Sequence, residues 1–295
     1  MAYRQIKQLC AWSLGIILFC SMPAGAQSAL SSTQQQQVSQ PEILQELAKA
    51  DVVYLGETHD RPEDHNAQLE IIQQLYRRNH KVAIAMEMFQ RPYQSVIDNY
   101  LAGKITESQL LEQSEYNRRW GFPWEYYAPI LKFAKKHQLP VLALNTPTEV
   151  TRKVARQGLE SLTSADRQYI PPISEIRTDN AEYRQMILDA YKQHQAIAHG
   201  SSDNFERFFT AQVLWDETMA DKIAQFLKTN PDYQVVVLAG QAHIVYGYGI
   251  PSRVARRLEN VADKRRLVQR SVLLSPPEKE TAQNEKAIAD FIWSR

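Results

Sequence analysis

Short runs of continuous apolar residues punctuate the chain from Pro41 onward. They lie at Val52–Leu55, Val82–Met86, Val141–Leu144, Val235–Ala239 and Leu267–Leu274, and they are rich in β-branched residues. Between them run longer stretches with apolar residues at helical spacing, such as Leu69, Ile72, Leu75 and Tyr76, or Ile130, Leu131, Phe133 and Ala134. Continuous apolar strands alternating with helices predict an α/β fold, with a mostly parallel sheet covered by helices on both faces. Residues 147–230 interrupt the alternation with consecutive helical patterns, so a helical insert is expected before the fourth strand. No internal repeat is evident.

The first 26 residues read differently. Arg4 and Lys7 form a basic end, Leu9 to Cys20 is almost wholly apolar, and Ala24-Gly25-Ala26 offers small residues before Gln27. This is the three-part pattern of a secretory signal, and its apolar run is shorter than the ~20 residues a bilayer span needs. Phe19 is bulky where a lipoprotein signal wants a small residue before its cysteine, so ordinary cleavage is expected ahead of a lipid anchor at Cys20. The expected organisation is a signal over 1–26, a Ser/Gln-rich disordered linker over 27–40, and one α/β domain over 41–295. Its expected location is outside the cytoplasm, in the periplasm or cell envelope.

Composition narrows the function classes. The 295 residues are 44% hydrophobic and 23% charged, with 34 basic against 33 acidic residues. That balance excludes a multispan membrane protein and argues against nucleic acid as a partner. Both cysteines, Cys10 and Cys20, fall within the signal. A processed protein is then thiol-free, which removes disulfides, thiol nucleophiles, Cys-ligated metals and C-x-x-C-H haem attachment. There is no G-x-S-x-G and no phosphate loop, and Gly247-Tyr248-Gly249 lacks the spacing of a dinucleotide fingerprint.

In open α/β sheets the functional crevice lies beyond the carboxyl ends of the strands. The first strand runs into Glu57-Thr58-His59-Asp60, the second into Glu87, the third into Asn145-Thr146-Pro147, and the fourth into Gly240-Gln241-Ala242-His243. Glu57, His59, Glu87 and His243 are therefore expected to line one pocket, provided the first, second and fourth strands are near neighbours. His65, at the start of the next helix, points toward the same edge. Asp60-x-x-Glu63 with Pro62 reads as a helix-start capping box. Gln212 and Asp216 sit four apart within the apolar stripe of a long helix, where buried polar groups need partners, in the pocket or between helices. Trp120, Phe122, Trp124, Tyr126 and Tyr127 form an aromatic patch, read as core in preference to a ligand platform.

These motifs resemble the ChaN family of haem-binding and iron-uptake proteins. The resemblance is carried by Tyr54-Leu55-Gly56-Glu57-Thr58-His59-Asp60 with His65, by Met86-Glu87-Met88-Phe89-Gln90, by Ala211-Gln212 through Asp216-Glu217-Thr218-Met219-Ala220, and by Ala239-Gly240-Gln241-Ala242-His243 leading to Gly249-Ile250-Pro251. It covers about residues 45–260. The wider Tiki, TraB and erythromycin-esterase superfamily has a G-x-x-H motif and separated glutamates, which Gly240 and His243, and Glu57 and Glu87, match. The resemblance implies haem held between two subunits through tyrosine, hence a homodimer on haem binding and a membrane-associated uptake partner. Tyr246 and Tyr248 are candidate ligands by position beside His243, and Tyr183 and Tyr191 are others. The superfamily also implies an alternative: a hydrolase using Glu57, His59, Glu87 and His243 around Mn²⁺, Fe²⁺ or Zn²⁺, or a histidine base without metal.

Overall fold

The computed structural model describes residues 38–197, 205–259, 266–275 and 286–293. Six strands form one sheet: Val52–Glu57 (β1), Val82–Gln90 (β2), Val141–Asn145 (β3), Gln234–Gly240 (β4), Gln269–Leu273 (β5) and Phe291–Ile292 (β6). Their order is β3-β2-β4-β1-β5-β6, and every neighbouring pair is parallel. The five apolar runs all became strands. The sixth, two residues long, is too short to leave a period in the sequence.

Eleven α-helices occur among the described residues: Gln40–Leu47 (α1), Pro62–Arg78 (α2), Gln94–Leu101 (α3), Glu107–Gln113 (α4), Tyr116–Arg119 (α5), Ala128–His137 (α6), Thr148–Gln157 (α7), Ser164–Arg167 (α8), Ala181–Ile197 (α9), Phe205–Thr229 (α10) and Ile250–Leu258 (α11). They explain why the strands are apolar throughout. Successive residues of a strand point to opposite faces, and here both faces are covered. Val53, Leu55, Ile84 and Leu238 pack toward Ile71 and Leu75 of α2 and Leu131 of α6. Val52, Tyr54, Ala85 and Val237 pack toward Met219 and Ile223 of α10 and Val254 of α11. Each large aliphatic side chain buried this way stabilises the fold by roughly 1.5–3 kcal/mol.

The segment between β3 and β4 is helical, as its pattern predicts, but its last helix serves two layers. The first half of α10 packs through Ala211 and Leu214 on Val150 and Val154 of α7, and through Phe209 and Val213 on Tyr183 and Ile187 of α9. Its second half, with Met219, Ala220 and Ile223, lies on the sheet and closes the crossover to β4.

Two local features depart from simple expectation. Asp60 does not cap α2: the helix starts at Pro62 with Arg61 as N-cap and no side-chain cap bond. Asp64, inside the first turn, takes over this work, accepting from the Thr58 N–H at 2.8 Å and from the Ser275 hydroxyl. A carboxylate held by two donors fixes the β1–α2 turn more firmly than a solvated cap. The outer edge of β3, the last strand on its side of the sheet, is met by the Gln94 side chain. Gln94 donates from Nε2 to the Val141 carbonyl and accepts at Oε1 from the Ala143 N–H, both at 2.8 Å, as a neighbouring strand would.

The expected signal and almost all of the expected linker lie outside the described residues. At its last position, Gln40 already begins α1 behind the N-cap Ser39.

Candidate functional site

The middle of the site is the end of β4. Gly240 is paired with Glu57 of β1 on one side. On the other side β2 leaves the β4 ladder after Met86, which pairs with Leu238. Register against β3 shifts between Met86 and Gln90, so Glu87 sits in an irregularity of its strand. Such bulges re-aim a side chain. Glu87 Oε2 turns to accept the Gly240 N–H at 2.7 Å, replacing the lost ladder partner. Two carboxylates thus flank one glycine.

Each carboxylate carries an imidazole. Glu57 Oε1 lies 2.7 Å from His59 Nδ1, and Glu87 Oε1 lies 3.5 Å from His243 Nε2. Gly240 holds the two halves close: a Cβ at that position would meet His59 Nε2 at 2.8 Å and Glu87 Oε2 at 3.7 Å. Glu57, His59, Glu87 and His243 therefore meet at one edge of the sheet.

The Glu57 half is saturated with hydrogen bonds. Tyr127 donates its hydroxyl to Oε1 at 2.6 Å, and Gln68 donates from Nε2 to Oε2 at 2.5 Å. Burial first, and the Glu57 charge second, raise the Tyr127 phenol well above its usual pKa, which keeps it a donor. His65 lies 3.8 Å from Glu57 Oε2 and 3.2 Å from Gln68 Oε1, so it stands behind this carboxylate. Its ring stacks on Tyr126 with centroids 4.8 Å apart. His59 packs edge-on against Trp120 at 4.8 Å and beside Phe122 at 5.0 Å. The aromatic patch is thus both core, through Trp120 and Tyr127, and the wall around two histidines. Burial opposes a charge on His59, but the bond and charge of Glu57 raise its pKa above the usual value. With 12% of its side chain exposed against 0% for Glu57, 4% for Glu87 and 7% for His243, His59 is the most accessible of the four.

The Glu87 half is anchored from the long helix. His243 Nδ1 lies 2.6 Å from Asp216 Oδ1 and 3.3 Å from Gln212 Nε2, so the two polar residues in the apolar stripe of α10 brace this imidazole. Tyr183 donates its hydroxyl to the other oxygen of Asp216. Burial alone would lower the pKa of His243, but Glu87 and Asp216 push it up to about 10. Burial would likewise raise Glu87, but the His243 charge and hydrogen bond, then His59 and the Gly240 N–H, hold it down at about 2. The raised imidazole and the lowered Glu87 carboxyl both favour a buried ion pair in this half, with Asp216 on the other side of the ring.

This arrangement can hold protons and accept a polar ligand. Among the described residues, no group of three or more His, Cys, Asp or Glu side chains is placed to hold a metal ion. The reason is visible locally: both oxygens of Glu57 and one of Glu87 already accept protein hydrogens. The side-chain oxygens of Asn145 and Thr146, at the end of β3, and of Gln241, after β4, accept no hydrogen bond from the described residues and remain as acceptors near this edge.

Tyr246 and Tyr248 lie in the turns that follow His243, between β4 and α11. Tyr246 and Tyr248 are half-buried and lean on each other with centroids 5.5 Å apart. Tyr246, Met186 and Ile288 all pack on the small buried cluster of Val245, Leu273 and Ala289, and the Lys286 ammonium lies 4.5 Å from the Tyr248 ring centre. Tyr183 is fully buried with its hydroxyl committed to Asp216, so it is not available as a ligand. Tyr191 packs on Phe205 and Phe208. Sequence reading missed Tyr127 and Gln68, which contact Glu57 from 70 and 11 positions away. Gln68 was detectable in principle, one turn after His65 on the buried face of α2; nothing marked Tyr127 beyond its place in the aromatic patch.

Comparison with known proteins agrees with this architecture. Residues 43–254 match the family model described as haem-binding uptake, Tiki superfamily, ChaN. The fold is shared with ChaN of Campylobacter jejuni, in a structure described as showing cofacial heme binding: TM-score 0.64, 17% identity, covering 88% of this chain and 92% of that one. A mutant erythromycin esterase EreC in its open conformation superposes with a TM-score of 0.45 and 15% identity, over 82% of this chain and 74% of that one. Protein RETICULATA-RELATED 5, chloroplastic, of Arabidopsis thaliana is 28% identical over 267 residues, covering 85% of this chain. The chain spans 35% of that plant protein's length.

Proposed function

Because the chain belongs to the haem-binding uptake (ChaN) family of the Tiki superfamily, we propose that it binds haem outside the cytoplasm and serves iron or haem uptake. The observation that carries this reading on the chain itself is the half-buried pair Tyr246 and Tyr248, with Met186 and Ile288 on the same apolar cluster as Tyr246 and Lys286 over the Tyr248 ring. That donor set fits the group. When bound, ferric haem would supply a metal centre that suits a hard anionic oxygen donor. A phenolate of Tyr246 or Tyr248 would hold the iron, Met186 and Ile288 would meet the porphyrin, and Lys286 would meet a propionate. Such a patch covers part of a porphyrin, so a second copy of the chain completes the site and binding brings dimerisation. A membrane-associated uptake partner would then receive the haem.

The localisation follows from the first 26 residues, whose removal leaves 32 basic against 33 acidic residues and no cysteine. No helix among the described residues is long and apolar enough to cross a membrane.

Titration of the purified chain with hemin tests the reading. A Soret band should appear and saturate, sedimentation should show a dimer, and the double variant Tyr246→Phe/Tyr248→Phe should lose both. An unchanged spectrum, or a double variant that binds like wild type, overturns it.

One observation favours a second reading, hydrolysis. His59 is tied through Nδ1 to Glu57 and carries a raised pKa at the most accessible point of the site. A histidine so oriented would take a proton from water during attack on an ester or amide. The metal-dependent version of this reading has no side-chain cluster behind it among the described residues. Turnover of simple esters that disappears in His59→Ala, without added metal, would establish the histidine version.

A further inference from the structure

We infer that Arg253 positions the Tyr246–Tyr248 loop for its ligand and ties that loop to the buried His243. The ligand's identity rests on the haem reading above; the geometry does not.

Arg253 lies in the first turn of α11 and is 4% exposed. A guanidinium removed from water needs compensating contacts, and three kinds surround it. From Nη1 it donates to the carbonyls of Tyr248 and Gly249, at 2.5 and 2.8 Å. Its Nε lies 3.4 Å from Oε1 of the fully buried Glu217. Its plane stands over the Tyr183 ring, 5.0 Å from the centre. Ser252 also donates to the two carbonyls, at 2.8 and 3.1 Å, but from an exposed position where water can take its place.

From Tyr183 the contact continues inward. The Tyr183 hydroxyl meets Asp216, and Asp216 meets His243 at 2.6 Å. The loop also returns directly to His243: a Cβ on Gly249 would meet the His243 carbonyl oxygen at 2.2 Å. The residues between are pinned at both ends. In their middle Tyr246 adopts φ 55°, ψ 6°, the left-handed region that a non-glycine residue occupies only when its surroundings hold it. One hold is its N–H, which donates to the Ile288 carbonyl at 2.8 Å. Arg253 is the other, on the far side of the loop. The phenols are thus displayed by a strained turn that a buried arginine keeps in place.

Three variants test this: Arg253→Met, Arg253→Lys and Arg256→Gln. Arg256 shares Glu217 at 2.7 Å but otherwise reaches the Glu175 carbonyl at 2.9 Å, so it reports on the charge cluster without the loop. Hemin affinity is read by absorbance titration. In the haem-free protein, nitration by tetranitromethane is quantified at Tyr246 and Tyr248 by mass spectrometry, and the His243 ring is followed by ¹⁵N NMR. Arg253→Met should weaken hemin binding about tenfold, change nitration at both tyrosines several-fold and shift the His243 resonances. Arg253→Lys should fall between, because one nitrogen cannot reproduce the fork, and Arg256→Gln should match wild type. Equal effects of Arg253→Met and Arg256→Gln overturn the inference, as does unaltered nitration in Arg253→Met. If Arg253→Met does not fold, Arg253→Lys decides by the same criteria. Wild-type protein that ignores hemin, with nitration and His243 still responding to Arg253, refutes the haem reading and leaves the positioning role standing.

Discussion

His243 Nδ1 lies 2.6 Å from Asp216 Oδ1, joining the turn after β4 to the middle of the longest helix. The same ring reaches Glu87 with its other nitrogen. One imidazole therefore fastens the sheet edge to the helix that covers one face of it, and Glu87 and Asp216 on its two sides favour the cationic form of the ring.

That cation makes stability depend on pH in a defined direction. His243 is raised from 6.5 to about 10 by folding, so its contribution is complete below about pH 6.5 and is lost as pH rises toward 10. Glu87 is lowered from 4.5 to about 2, so its contribution is complete above about pH 4.5 and is lost as pH falls toward 2. Together they should give greatest stability from this pair between those limits. In Asp216→Asn the His243 pKa should fall, and stability at neutral pH should drop by about 3 kcal/mol, the usual cost of breaking a buried pair. Denaturant unfolding across pH and NMR titration of His243 check both; a variant as stable as wild type at pH 7 and at pH 10 contradicts them.

Gly240→Ala should act on His59 through space. The added methyl would stand 2.8 Å from His59 Nε2 and 3.0 Å from Cε1, so the ring must move off Glu57. Its raised pKa should then relax toward 6.5, with a stability loss of roughly 1–3 kcal/mol from overpacking. An unchanged His59 titration would show that the close approach is not what orients the ring.

Gln94→Ala should open the edge of β3. It removes one donor and one acceptor bond to the strand, about 1 kcal/mol each, and leaves the Val141 carbonyl and Ala143 N–H exposed to other chains. The denaturation midpoint should fall, and light scattering on storage should rise. Scattering equal to wild type would place the edge protection elsewhere.

Export should leave native protein beginning near Gln27. N-terminal sequencing of protein isolated from its host checks this; a chain starting at Met1 or Ala2 rejects it.

The sheet was legible because burial on both faces forces apolar residues at every strand position, and five such runs stand clear of their surroundings. That Glu57, His59, Glu87 and His243 share one edge followed from parallel topology, since crossover connections put all strand ends on that edge. The order β2-β4-β1, which makes those ends neighbours, was a condition the sequence could state and not decide. Strand order is settled by which helices pack on which face, and by the second half of α10 returning to the sheet, a matter of long-range contact. The partners of the site depended on it entirely. Tyr127 reaches Glu57, Tyr183 reaches Asp216 and Arg253 reaches the Tyr248 carbonyl through space, and hydrogen bonds of that kind leave no spacing in a sequence. Asp60 shows the limit from the other side. Its capping pattern was present, but Asp64 gained two buried donors in the folded chain and displaced it.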